Sequence, residues 1–248
     1  MEMMIYSILS TKGNPKNLVD LLIDIKGISE GVLSFVSFKD ITAVVSAIKK
    51  NDINADRANA IIYAGIIEIL TQRFTLLPVR YGSVMESTSA IIKMLERNYN
   101  EIQNNLQKVE DKWEFGLRIF CDSEKLKTEL RAKSEADPQS QTIESTDSVY
   151  RDWVNRKLKE HRLEESLLTY IESIIAEIKV FLDSLNAVTK FKKMLTATTL
   201  LDAVFLLDKD QKDTSVYFIE DLQTKYPALT FVLTGPWPPY NFVEITIK

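Results

Sequence analysis

Few side chains in this sequence could do imidazole or thiol chemistry. His161 is the only histidine and Cys121 the only cysteine in 248 residues. No internal disulfide, two-histidine zinc site or multi-thiolate site can therefore be built from the chain. Glu164 and Glu165 follow His161 at the spacings that a helix brings to one face. The three could begin a metal site or an acid–base pair. No further ligands stand at metal-ligand spacing, and the surrounding run KLKEHRLEE is charged all round, which favours a surface ion pair. Cys121 ends an apolar alternation and reads as a core thiol.

The glycines, at 13, 27, 31, 65, 82, 116 and 235, are scattered. They form neither G-x-G-x-x-G nor G-x-x-x-x-G-K-[ST], and no G-x-S-x-G occurs. Catalytic, cofactor-binding and metal residues are expected to be absent. Lys plus Arg number 31 against 35 Asp plus Glu, for a net charge of −4. With a pI near 5.3 this argues against a general nucleic-acid binder. No apolar run reaches the ~18 residues that a bilayer span needs, so no membrane insertion is expected. The opening MEMMIYSILS lacks a basic start and reads as no export signal, which places the chain in the cytoplasm.

Two segments remain as carriers of function. Residues 233–243 read LTGPWPPYNFV. Gly235, Pro236, Pro238 and Pro239 fix much of the backbone, so Trp237 and Tyr240 are expected in a stiff frame between two strands. Stiff aromatics lose little entropy on binding, which makes Trp237, Pro238, Pro239 and Tyr240 partner-binding candidates. The competing reading has Trp237 folding back to plug the end of the sheet. Residues 76–84 read LLPVRYGSV. Here Arg80, Tyr81 and Gly82, with Gly235 and Pro236 of the other segment, are expected to be structural. The Arg80 guanidinium, with its five donors, would tie the bend before the next helix to the sheet.

The elements that must position these segments follow from periodicity. Residues 4–10 form a strand, with Gly13-Asn14-Pro15 as a turn. Leu18, Leu21, Leu22 and Ile25 mark a helix, and residues 32–38 and 41–47 form two strands joined by the hairpin pair Lys39-Asp40. Residues 56–73 carry a helical ladder through Ala58, Ile61, Ile62, Gly65, Ile66, Ile69 and Leu70, with Ile67 off it, so this helix should pack on more than one side. Ser87 or Thr88 can cap a second helix with Ile91, Leu95, Ile102, Leu106 and Val109 inward. Residues 113–121 alternate as a half-buried antiparallel strand, expected to complete a four-stranded first sheet.

After Cys121 the character changes. A short helix is expected around 124–133, and residues 134–147 (SEADPQSQTIESTD) read as a polar linker. Residues 150–185 form a long helix or helix pair, 201–207 a strand, 214–225 a helix capped by Asp213 or Thr214, and 229–234 and 241–247 two more strands. No structure is assigned to 192–199. Both ends thus read strand, helix, strand, strand, either as related halves or by the chance recurrence of a common unit. The fold class expected is α+β in two domains. Residues 1–121 form a ferredoxin-like antiparallel sheet with helices. Residues 122–248 form an α+β domain with a long helix and a small antiparallel-rich sheet.

LTGPWPPYNFV resembles the C-terminal signature of the gas vesicle protein F/L family. LLPVRYGSV resembles that family's L-P-x-R-F/Y-G segment, with Tyr81 where Phe is common, and EFGLRIF, YRDWVNRKLKEHRLEE and MIYSILS resemble its other segments in order. The compact length is closer to F than to L. The resemblance implies a non-enzymatic accessory or minor structural protein needed for gas vesicle assembly, located in the cytoplasm and at the gas vesicle. It implies partners among the gas vesicle accessory proteins and above all gas vesicle protein A, the hydrophobic shell protein, kept from aggregating during nucleation. The alternatives are a ferredoxin-like nucleic-acid-binding module, whose RNP-type motif is missing here, and a small-ligand-sensing module.

Overall fold

The computed structural model describes residues 2–12, 22, 24–49, 52–54, 56–122, 125–126, 128, 148–192 and 198–243, with the side chains of 148–156, 158–160 and 162–164 excepted. Among these residues the fold is α+β, with two antiparallel sheets and five α-helices. The chain packs as two units: Met1–Glu114 with Gly235–Lys248, and Phe115–Thr234.

In the first unit, β1 (Met3–Ser10) pairs antiparallel with β3 (Ile41–Ala47), which pairs antiparallel with β2 (Leu33–Phe38). The β2–β3 hairpin turns at Lys39-Asp40, as the sequence predicts, with Lys39 at a φ of 52°. On its other side β1 takes β4 (Leu76–Pro78) and, farther along, β5 (Val84–Met85). The order β2-β3-β1-β4 is that of the expected split βαβ sheet.

Helix α1 (Arg57–Thr71) begins where the Asp56 carboxylate accepts the Asn59 N–H. Its buried face is Tyr63, Ile66, Ile67 and Leu70. Ile61, part of the expected inward ladder, is exposed. Tyr63 has hydrogen-bond partners under the helix, so it turns inward and rotates Ile61 out. Helices α2 (Thr88–Arg97) and α3 (Tyr99–Val109) occupy the span expected as one helix, with Ser87 as cap. The break is at buried Asn98, whose side-chain amide donates to the Met94 carbonyl instead of leaving the helix regular. All five expected inward residues of this span are buried.

The second sheet has the order β7-β8-β6-β9. Its strands are β6 (Lys112–Cys121), β7 (Val188–Phe191), β8 (Thr199–Asp208) and β9 (Leu229–Trp237). Strand β6 therefore does not complete the first sheet. Phe115 stacks on Phe205 at 5.8 Å, and Arg118 pairs with Asp202 at 3.3 Å, both on β8. Alternation shows that a strand is half-buried, but not which sheet receives it. The vacant side of β1 is filled instead by β4 and β5, too short to show a period.

Helix α4 (Ser148–Ser184) is one continuous helix. Helix α5 (Lys212–Lys225) starts after Gln211 without a side-chain cap, so neither Asp213 nor Thr214 caps it. The two helices lock through Glu177, which accepts from Lys225 Nζ at 2.7 Å and Tyr226 Oη at 2.7 Å, and through stacked Phe181 and Phe218. Strand β7 was not anticipated. Of the expected strand 241–247, residues 241–242 are turn, and 244–247 lie outside the described residues. Also outside them lie the 13–15 turn, Leu18 and Leu21 of the first helix, most of the 124–133 helix and the 134–147 linker. No helix among the described residues is long and apolar enough to cross a membrane.

Candidate partner-binding site

The segment 76–84 is laid along β1. Leu76 and Leu77 are buried, and the Val79 N–H donates to the Tyr6 carbonyl at 3.0 Å. The bend that follows is closed by Ser83. Its N–H and its hydroxyl both donate to the Arg80 carbonyl, at 3.1 and 2.7 Å, and its own carbonyl accepts the Ile5 N–H. Gly82 sits at a φ of 80°, where a Cβ is strained. The Tyr81 hydroxyl donates to the Asn54 carbonyl at 2.7 Å, and its ring meets Tyr63 edge-on.

The tether expected of Arg80 is made by other atoms. Its side chain is exposed, and its guanidinium forms no hydrogen bond or ion pair among the described residues. A short serine hydroxyl can close a four-residue turn from within. The long arginine stem instead carries its charge out to water at no desolvation cost.

The segment 233–243 differs from the expected loop between strands. Gly235, Pro236 and Trp237 continue β9, with Gly235 at a φ of 117° and a cis Gly235–Pro236 bond. The turn then closes by Tyr240 N–H donating to the Pro238 carbonyl at 2.7 Å. Pro238 and Pro239 are buried, whereas Trp237 is 50% and Tyr240 42% exposed. Trp237 therefore does not plug the sheet. Just beyond, Asn241 is held by Glu114. The carboxylate, 3% exposed, accepts the Asn241 backbone N–H at 2.8 Å and also its side-chain amide. Phe242 is fully buried, with Lys108 Nζ 5.9 Å from its ring.

Tyr63 anchors the first segment from beneath. Its hydroxyl donates to the Val79 carbonyl, and its ring stacks at 6.1 Å on Tyr6. Tyr6 in turn is bonded to Ser46 Oγ and the Ile28 N–H, both at 2.9 Å. Burial, and then the nearby Tyr240 oxygen, push the Tyr63 hydroxyl far up. Tyr240 itself is pushed up to about 12 by burial, then by Glu114 and Glu68. It stays a neutral phenol at any physiological pH. The surface thus presents two aromatic side chains on a backbone pinned from beneath, suited to apolar and ring contacts. Sequence reasoning missed Tyr63, Glu114 and Asn241. The available signals were a tyrosine inside an apolar helical ladder and a lone acid inside the strand WEFGLRIF.

The chemical groups singled out in the sequence, His161 and Cys121, belong to the second unit. His161 Nδ1 is 3.6 Å from Glu165 Oε2, with both side chains exposed, the surface pair that the spacing suggests. Cys121 is a buried thiol outside any disulfide, pushed up by burial and by Asp122. No cluster of three or more His, Cys, Asp or Glu that could hold a metal occurs among the described residues.

A family profile described as gas vesicle synthesis protein GvpL/GvpF matches residues 3–244. The chain is 22% identical over 232 residues to gas vesicle protein F1 of Halobacterium salinarum, which covers 92% of this chain and 89% of that protein. The crystal structure of the gas vesicle protein GvpF from Anabaena sp. PCC7120 matches with a TM-score of 0.73 at 21% identity, covering 99% of each chain. That of GvpF from Microcystis aeruginosa matches with a TM-score of 0.69 at 18% identity, covering 98% of this chain and 99% of that one. At these identities the solved structures share the fold.

Proposed function

Since the chain belongs to the gas vesicle synthesis protein GvpL/GvpF family, we propose that it serves gas vesicle formation as a non-enzymatic assembly factor or minor vesicle component, with Trp237 and Tyr240 contacting the hydrophobic shell protein. The family and the F-type relatives support the setting. The partner is then gas vesicle protein A, with other accessory proteins beside it, and the place of action is the growing vesicle in the cytoplasm. A shell protein with exposed apolar surface aggregates unless that surface is covered, and covering it during nucleation is the role proposed.

One observation carries the choice of surface. Trp237 and Tyr240 remain exposed while the residues around them, Pro238, Pro239 and Phe242, are buried, so the rings are held out by an anchored backbone. Because little backbone freedom is left to lose, binding energy is not spent on ordering the turn that carries them.

The test is the double variant Trp237→Ala with Tyr240→Ala, assayed by capture of purified gas vesicle protein A and by thermal melting. The expected result is at least about tenfold weaker capture, as for loss of aromatic anchors, with the melting temperature nearly unchanged. Capture at wild-type strength by a folded double variant would overturn the assignment of the surface. Normal vesicles in a host lacking the gene and any paralogue would overturn the assembly role itself.

A further inference from the structure

We propose that the outer edge of β9 pairs antiparallel with the same edge of a second copy of this chain, about a two-fold axis at Leu233. The proposal concerns the second unit and rests on no part of the reading above.

Among the described residues β9 ends its sheet, so one row of its main-chain groups faces away from β6. At the start of the strand this row is already satisfied. The Leu229 N–H donates to the Tyr226 carbonyl at 3.0 Å. The Gln223 side chain on α5 then acts as a strand residue would, donating Nε2 to the Leu229 carbonyl at 2.7 Å and accepting the Phe231 N–H on Oε1 at 3.0 Å. Outward groups recur every second residue, so the next are the Phe231 carbonyl and both main-chain groups of Leu233. Among the described residues no strand or side chain is bonded to them.

What remains open is self-complementary. Two copies placed antiparallel with Leu233 opposite Leu233 form a hydrogen-bonded pair, in which each N–H donates to the other's carbonyl. Gln223 occupies the edge at Leu229 and Phe231, so the ladder is confined to Leu233 and the residues beside it. The strand LTFVLTGPW carries no charged residue, so the identical edge meets no like charge across the axis. It also lacks the lysine or inward charge that commonly guards a free edge, whereas a charged strand would find no counter-charge here. The exposed Thr230, Val232 and Thr234 are the β-branched side chains that pair well across strands. A contact this short buries far less than the ~1,200 Å² of a standard interface, so the dimer is weak and concentration-dependent.

The full chain is followed by sedimentation equilibrium up to and beyond about 100 µM, the range in which a weak dimer half-associates. A monomer–dimer equilibrium is expected. Gln223→Ala frees the Leu229 carbonyl and the Phe231 N–H, lengthens the open edge and tightens the dimer about fivefold. Val232→Lys sets two lysines diagonally across the axis and weakens it about tenfold. Val232 lies on the solvent side, so this variant should melt with wild type and carries the test if Gln223→Ala fails to fold. A chain that stays monomeric throughout overturns the proposal, as does a dimer indifferent to Val232→Lys.

Discussion

Glu114, buried at the start of β6, holds Asn241 from 127 positions away in sequence, accepting its backbone N–H at 2.8 Å together with its side-chain amide. The pair fastens the chain directly after Tyr240, so the stiffness of the aromatic turn comes from an anchor as well as from its prolines. Glu114→Ala removes a charged acceptor from buried donors. It should cost about 1.5–3 kcal/mol in denaturant unfolding. Amide hydrogen exchange at Asn241 should rise more than at β1, where nothing is altered.

Ser83 closes the bend that the sequence assigns to Arg80. Arg80→Ala should change stability by no more than about 0.5 kcal/mol, as for an exposed side chain without partners. Ser83→Ala removes the 2.7 Å hydroxyl bond to the Arg80 carbonyl and should cost about 1 kcal/mol. Paired urea melts of the two variants decide the order, and a larger loss in Arg80→Ala would restore the arginine tether.

Gly82 lies at a φ of 80°, and the nearest obstacle to an added Cβ is Ile53 Cγ2 at 3.4 Å. That is an ordinary contact, so space is not what excludes a side chain. Gly82→Ala should still cost about 1–2 kcal/mol through the left-handed backbone alone. Gly82→Asn should recover part of that loss in the same thermal melt, because asparagine tolerates this region better than alanine.

The Glu177 cluster predicts a pH dependence. The hydrogen bond from Lys225, then that from Tyr226, holds the Glu177 carboxyl below its ordinary value. A carboxylate lowered on folding stabilises fully above its unfolded value and loses that contribution as pH falls through the lowered one. The Lys225 ammonium is raised, first by its bond to Glu177, so its share is present below its unfolded value and fades as pH rises through the raised one. Around neutrality both contributions are in place. The melting temperature of wild type should therefore fall more steeply on acidification than that of Glu177→Gln. Added salt should narrow the difference, since the pair is partly solvated. Parallel acid limbs for the two proteins would show that the cluster does not report on folding.

Periodicity and capping make most elements legible along the chain. The Ser87 cap, the Lys39-Asp40 hairpin and the long helix beginning near residue 150 are local devices, and their signals lie within a few residues of the structure they dictate. The breaks in local legibility are physical as well. Asn98 splits a continuous apolar ladder because its amide bonds back to Met94, which spacing alone does not disclose. Strand β7, four residues long, is too short to establish a period.

The sequence by itself determined the α+β class, through the periods of its helices and strands, and the family, through the order of its motifs. The prolines around Trp237 announce a restrained aromatic segment whatever surrounds it. Tertiary structure alone decided which strands share a sheet, that Tyr63 and Glu114 anchor the two signature segments, and that the Arg80 side chain anchors neither. Helical and strand periods are set by neighbours in the chain, so they can be read along it. Sheet membership and the pairing of a buried carboxylate depend on which distant surface satisfies its hydrogen bonds at least desolvation cost, and that competition is settled only when the chain has folded.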